Sequence, residues 1–149
     1  MERQVEALLR GEQFKRLLES HVRRVREQYG LKRMEIEVLY YLRHSAERNT
    51  AKDITLSLHV NKGHISQTTE SLRRKGYLSV SRDESDYRVM HYRITEDARR
   101  MAEEIDAAIG RLYAALFAGI SAEDQEALKR IAAQIADNMR QMPQTPSDN

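Results

Sequence analysis

No cysteine occurs among the 149 residues, which excludes disulfides, thiolate metal sites and thiol-based redox sensing. No apolar run approaches the ~20 residues needed to cross a bilayer. The opening Met1-Glu-Arg-Gln-Val5 lacks the apolar core of a secretory signal. No phosphate loop, nucleophile motif, internal repeat or linker is present, so the expectation is a cytoplasmic protein without enzymatic activity. The acidic residues Asp83, Glu84 and Asp86 lie in one polar turn with no pocket around them, which argues against acid–base chemistry. The five histidines show no i,i+4 pairing, so neither a metal nor another cofactor is expected.

What is present is charge and helical periodicity. Charged residues make up 32% of the chain and hydrophobic ones 40%, the balance of a protein built largely from amphipathic helices. Residues 48–93 carry nine basic against five acidic side chains, whereas residues 94–149 carry six against ten. A basic middle beside an acidic C-terminal third suggests that the middle faces a polyanion.

The apolar spacing predicts helices over residues 3–28 and 32–47, the first closed by Tyr29-Gly30. Thr50-Ala-Lys-Asp53 resembles a capping box opening a short helix with Ile54 and Leu58 inward. His59-Val60 makes a turn, and Asn61 caps a further helix that Gly76 ends near Lys75. Leu78/Val80 and Met90/Tyr92/Ile94 then alternate with polar residues around a charged tip, which predicts a β-hairpin. Thr95 is expected to cap a long helix to about Gly119, and Ser121 a last one carrying Leu128, Ile131, Ile135 and Met139. Residues 143–149 read as a disordered polar tail.

Short helix, tight turn, longer helix and hairpin is the order of a winged helix-turn-helix, whose second helix enters the major groove. At about 100° per residue, Thr68, Thr69 and Leu72 share a face with Ile65, while Gly63 and Gln67 lie opposite and His64 and Ser66 flank them. Gln67 can make paired hydrogen bonds to adenine, His64 or Ser66 can reach a base edge or phosphate, and Lys62 suits phosphate. Small residues at this end, Gly63 among them, let the backbone approach DNA. On the wing, Arg82 and Arg88 flank the acidic tip, and Asp86 is placed to orient Arg88 for an adjacent minor groove. The competing readings are a solvated helix face and a hairpin turn whose charges keep its edge soluble.

Three stretches, Val60-Asn-Lys-Gly-His-Ile-Ser-Gln67, Leu72-Arg-Arg-Lys-Gly-Tyr-Leu78 and Asp83-Glu-Ser-Asp-Tyr-Arg-Val89, followed by Ile94-Thr95-Glu96, resemble the MarR family of bacterial regulators. The resemblance implies a mainly α homodimer. A winged helix-turn-helix over residues 31–94, with a two-stranded hairpin wing, would be flanked by dimerisation helices over 1–30 and 95–142. It implies base or phosphate contacts from Lys62, Gly63, His64, Ser66 and Gln67, and a minor-groove contact from Arg88. It also implies a repressor on palindromic double-stranded DNA, released by a small aromatic or anionic effector held between the dimer helices and the winged helix. Arg26, Tyr29, Met34, Tyr40 and Tyr113 are the candidate lining residues, although methionine and tyrosine at helical spacing more often belong to a core. Gln67, Val80 and Tyr87 stand where the family often has arginine, and Ala98 where it often has glycine. These departures point to an operator leaning towards A·T.

The dimer has a second basis in the sequence. Three amphipathic helices outside the winged helix carry more apolar stripe than about 65 residues can cover, and pairing two copies would cover it. An intrachain bundle is the alternative. For function, the alternative to a regulator is a winged helix that contacts proteins rather than DNA.

Overall fold

The computed structural model describes residues 11–142, so the expected helix start before Gly11 and the expected tail after Met142 lie outside the described residues. Two compact units are present, one ending at Leu112 and the other beginning at Tyr113. Among the described residues no helix is long and apolar enough to cross a membrane.

In the first unit, α1 spans Glu12–Tyr29 and α2 spans Arg33–His44. Between them Gly30 adopts φ 61°, which the missing Cβ makes inexpensive, and the Leu31 N–H returns to the Arg26 carbonyl at 2.9 Å. α2 is shorter than its periodicity suggests, because three contacts pull the following segment away. Arg48 N–H turns back to Ser45 O, Tyr41 Oη donates to Arg48 O at 2.8 Å, and Asn49 O accepts from Tyr92 N–H of the hairpin. Helix-forming Ala46 and Glu47 cannot outweigh those tertiary bonds.

α3, Ala51–Leu58, begins with the expected reciprocal cap: Asp53 N–H donates to Thr50 Oγ1, and Thr50 N–H donates to Asp53 Oδ2. His59 makes the turn in the left-handed conformation, φ 53°. α4, Lys62–Arg74, is capped by Asn61, whose Oδ1 accepts from His64 N–H at 2.8 Å. It stops at Gly76, φ 78°, where Tyr77 N–H donates to Leu72 O.

The hairpin pairs β1, Leu78–Arg82, with β2, Met90–Ile94, antiparallel with Leu78 opposite Ile94 and Arg82 opposite Met90. A single bridge between Thr50 and His91 ties it to the segment before α3. Thr95 does not cap the next helix with its side chain. Its hydroxyl donates to Gly76 O at 2.8 Å instead, fastening the end of the wing to the end of α4. One 3₁₀ turn, Glu96–Ala98, leads into α5, Arg99–Leu116.

The core joins Val22 and Val25 of α1, Ile36, Val38, Leu39 and Leu42 of α2, Ile54, Ile65 and Leu72 of α3 and α4, and Met101, Ile105 and Ala108 of α5. Val22 and Val25 of α1 and Met101, Ile105 and Ala108 of α5 thus pack within one chain. In the second unit, α6 spans Ala122–Gln141, with Ser121 Oγ accepting from Asp124 N–H at 3.1 Å. α6 buries no residue: Leu128, Ile131 and Met139 are 42%, 56% and 58% exposed.

Candidate nucleic-acid interface

Ile65, Thr68, Thr69 and Leu72 are buried, so α4 turns Lys62, Gly63, His64, Ser66 and Gln67 outward, each of them exposed. The two threonines hide their hydroxyls by donating to Ile65 O and His64 O one turn back. Asn61 satisfies the His64 N–H, which leaves the first-turn N–H groups of Lys62 and Gly63 available to an anion such as phosphate. Gln67 offers a carbonyl and an amide on one rigid face, a pairing that fits adenine.

The basic residues at the far end of α4 are largely engaged within the chain. Farther along α4, Glu70 receives Arg73 at 2.8 Å and Arg74 at 3.1 Å. The Arg73 hydrogen bond and then the Arg74 one, acting against partial desolvation, hold the Glu70 carboxyl down to about 2. At the C-cap, Lys75 Nζ turns inward to Glu35, 2.8 Å away, and to Gly30 O. Glu35 is 1% exposed and also accepts from Ser71 Oγ and Lys32 N–H, both at 2.7 Å. Burial alone would raise the Glu35 carboxyl, but the bonds from Lys75, Ser71 and Lys32 outweigh it and its pKa is lowered. A carboxylate beside an apolar stripe thus fixes α4 to the α1–α2 junction, a role that its sequence neighbours do not suggest.

On the wing, Asp86 and Arg88 form the expected pair, with Nε 3.1 Å from Oδ1, and both Arg88 and Tyr87 are exposed. Arg82 instead donates to Tyr87 O at 3.0 Å, across the base of the tip. A groove of about 370 Å³ separates α4 from the hairpin, lined by Ser66, Glu70, Arg73, Arg82 and Met90 among others. Lys62, His64 and Gln67 of α4 and Arg88 of the wing are all exposed.

Four of the five effector candidates are dispersed in the first unit. Arg26 Nε lies 2.8 Å from Glu19, Tyr29 Oη donates to Glu104 at 3.0 Å, and Tyr40 packs on His44 with ring centroids 4.6 Å apart. Only Met34 of these four lines a cleft of about 550 Å³ between the starts of α1 and α2 and the outer face of α4. Tyr113 belongs to the second unit and stacks on Phe117. Spacing along separate helices could not reveal that Lys15, Lys32, His64 and Gln67 share this cleft.

Residues 31–98 match the family model described as a winged helix DNA-binding domain. Several solved structures share the architecture of nearly the whole chain. A crystal structure of CouR from Rhodococcus jostii RHA1 bound to p-coumaroyl-CoA aligns with TM-score 0.70 and 19% identity, covering 85% of this chain and 88% of that one. A point mutant of MepR from a multidrug-resistant S. aureus clinical isolate aligns with TM-score 0.69 and 20% identity, covering 93% and 99%. A MarR family protein from Bacillus stearothermophilus aligns with TM-score 0.62 and 19% identity, covering 93% and 94%. Residues 31–98 thus match a winged helix DNA-binding domain, and the chain shares the fold of solved structures that include a MarR family protein.

Proposed function

We propose that the protein is a MarR-type transcriptional repressor that binds a palindromic operator as a homodimer and is released by a small effector. The outward face of α4 carries this reading: it is polar, exposed and rigidly capped, and it stands beside a wing whose Arg88 is oriented by Asp86. Gln67 reads a base edge in the major groove, Lys62 and the α4 N-terminus hold phosphate, and Arg88 enters the flanking minor groove. The uncovered apolar residues of α6 supply the surface on which two copies pair.

The cleft beside Met34 supports the effector part. Lys15, Lys32, Arg33 and Met34 line it together with Glu35, held by Lys75, and Glu37, paired with Arg33, and its far wall carries His64 and Gln67 of α4. A ligand there competes with DNA for the same side chains. Of the similar structures, CouR is described with p-coumaroyl-CoA bound.

Two substitutions in one fluorescence-anisotropy experiment separate the assigned roles. Arg88→Ala is expected to weaken operator binding by about 5- to 150-fold, in line with a loss of about 1–3 kcal/mol, with dimerisation unchanged. Gln67→Ala is expected to lose discrimination at one base pair of the half-site while keeping affinity for the other operator variants. An equal loss at every variant would remove Gln67 as a base reader. Aromatic carboxylates at millimolar concentration should lower operator affinity in the same assay, and unchanged affinity across such a panel would count against the cleft.

A further inference from the structure

His91 sits where the wing meets the body of the domain, and its side chain is held at both ends. Nδ1 lies 2.6 Å from Asn49 Oδ1, and Nε2 lies 2.8 Å from Asp83 Oδ1. Asn49 is buried, and its backbone carbonyl accepts from Tyr92 N–H, so one partner is anchored in the body of the domain. Asp83 organises the tip: its Oδ2 accepts from Ser85 N–H, Ser85 Oγ and Asp86 N–H, and its own N–H donates to Val89 O. Asp86 in turn orients Arg88. A chain of contacts therefore runs from buried Asn49 through His91 and Asp83 to the cation assigned to the minor groove. A neutral imidazole has one donor and one acceptor, whereas the imidazolium has two donors. Two oxygens facing the two ring nitrogens call for the imidazolium.

We infer that His91 is a positioning residue that, in its protonated form, clamps the wing tip to the body of the domain, so that the order of the tip falls as pH rises. Through Arg88 this makes operator affinity pH-dependent, an extension that rests on the DNA-binding reading above. The carboxylates around the ring favour the clamp, and the cations Arg48 and Arg82 act against it. Asp83 faces Nε2 from the tip, and Asp53 of α3 is close enough for His91 and Arg48 to act on its charge. Across the hairpin the register partner of His91 is Ser81, which carries no charge, and the neighbouring Arg82 is engaged with Tyr87 O.

The test uses NMR on the whole chain without DNA, followed by operator binding over the same range, about pH 5 to 8. Both ring N–H protons of His91 should be seen at the acid end. Backbone order at residues 84–88 should decline as the ring deprotonates, and His91→Gln should show no such decline. Asp83→Asn, which keeps an acceptor oxygen but removes the charge, should flatten the profile as well, so an unfolded His91 variant would not leave the question open. Loss of a charge-assisted hydrogen bond at this half-buried site corresponds to about a 3- to 10-fold fall in operator affinity across the range, beyond the fall seen in His91→Gln. Any contribution from His64 is common to both proteins and cancels. Two results would overturn the clamp: a ring that stays neutral throughout, its lone pair met by an inverted Asn49 amide, or identical pH profiles for the wild type and His91→Gln. A titrating tip in a protein that binds no operator at any pH would uphold the clamp and remove the DNA reading instead.

Discussion

Ile131→Asp is expected to turn a dimer into a monomer and to lower operator affinity by about 10²- to 10⁴-fold, the advantage that two linked half-site contacts hold over one. The physical basis is the second unit. α6 has the spacing of an amphipathic helix, yet in the single chain none of its residues is buried, and Ile131 is the most exposed residue at the centre of the stripe that runs from Leu128 to Met139. Tyr113, Leu116 and Ile120 add further exposed apolar surface within the same unit. Covering a large aliphatic side chain contributes about 1.5–3 kcal/mol, so a run of four or five decides association. A carboxylate placed there must be desolvated in a dimer and remains hydrated in a monomer. The winged-helix core lies in the first unit, so the melting transition of that unit should be retained. Sedimentation equilibrium and anisotropy on the same samples read the two effects. A variant that stays dimeric would remove α6 as the interface, and a monomer with full operator affinity would remove the need for a dimer.

Glu35→Ala is the second large effect, with an expected loss of about 2–4 kcal/mol of folding stability. Removing one partner of a buried pair usually costs about 3–5 kcal/mol, and the partly exposed Lys75 can swing to water and recover some of that. Three bonds disappear at once: those from Lys75 Nζ, Ser71 Oγ and Lys32 N–H. Glu35→Gln keeps a single acceptor oxygen, which can serve either Ser71 Oγ or the Lys32 N–H but not both, and should lose less than Glu35→Ala. The same network sets a pH dependence. Because the Glu35 carboxyl is lowered in the folded state, its contribution is fully present above the ordinary glutamate range, about pH 4.3, and is lost as pH falls through the folded-state value. Urea melts at pH 7 and in the acid range should therefore converge between wild type and Glu35→Ala as the pH falls. A constant difference at all pH values would show that the carboxylate charge contributes nothing. Since Ser71 and Lys75 belong to the recognition helix and its cap, the variant should also loosen α4 against α2.

Periodicity and local chemistry carried much of this in advance. The face of α4 that holds Ile65, Thr68, Thr69 and Leu72 follows from a count of residues per turn, and the Thr50, Asn61 and Ser121 caps follow from side chains that bond within three residues. Contacts distant in sequence were beyond such reasoning. Glu35 meets Lys75 across 40 positions, and His91 meets Asn49 across 42. A charged or polar residue beside an apolar stripe looks the same in sequence whether it is solvated or clamped. The stripe of α5 was evident, but a period does not say what covers it, and Met101, Ile105 and Ala108 turned out to pack inside their own chain. Thr95 carries a cap's sequence signature, yet its hydroxyl finds Gly76 O, because the hairpin returns the chain to the end of α4.

Operator binding measured against salt concentration tests the DNA-reading role most directly. With a fragment containing the protein's own promoter, log affinity should fall linearly with log salt, with a slope of about −0.9 for each phosphate neutralised, and the fragment should outcompete unrelated duplex by about 10³-fold or more. Binding that is absent, or that ignores both salt and sequence, would contradict the assignment of α4 and the wing as a DNA-reading surface.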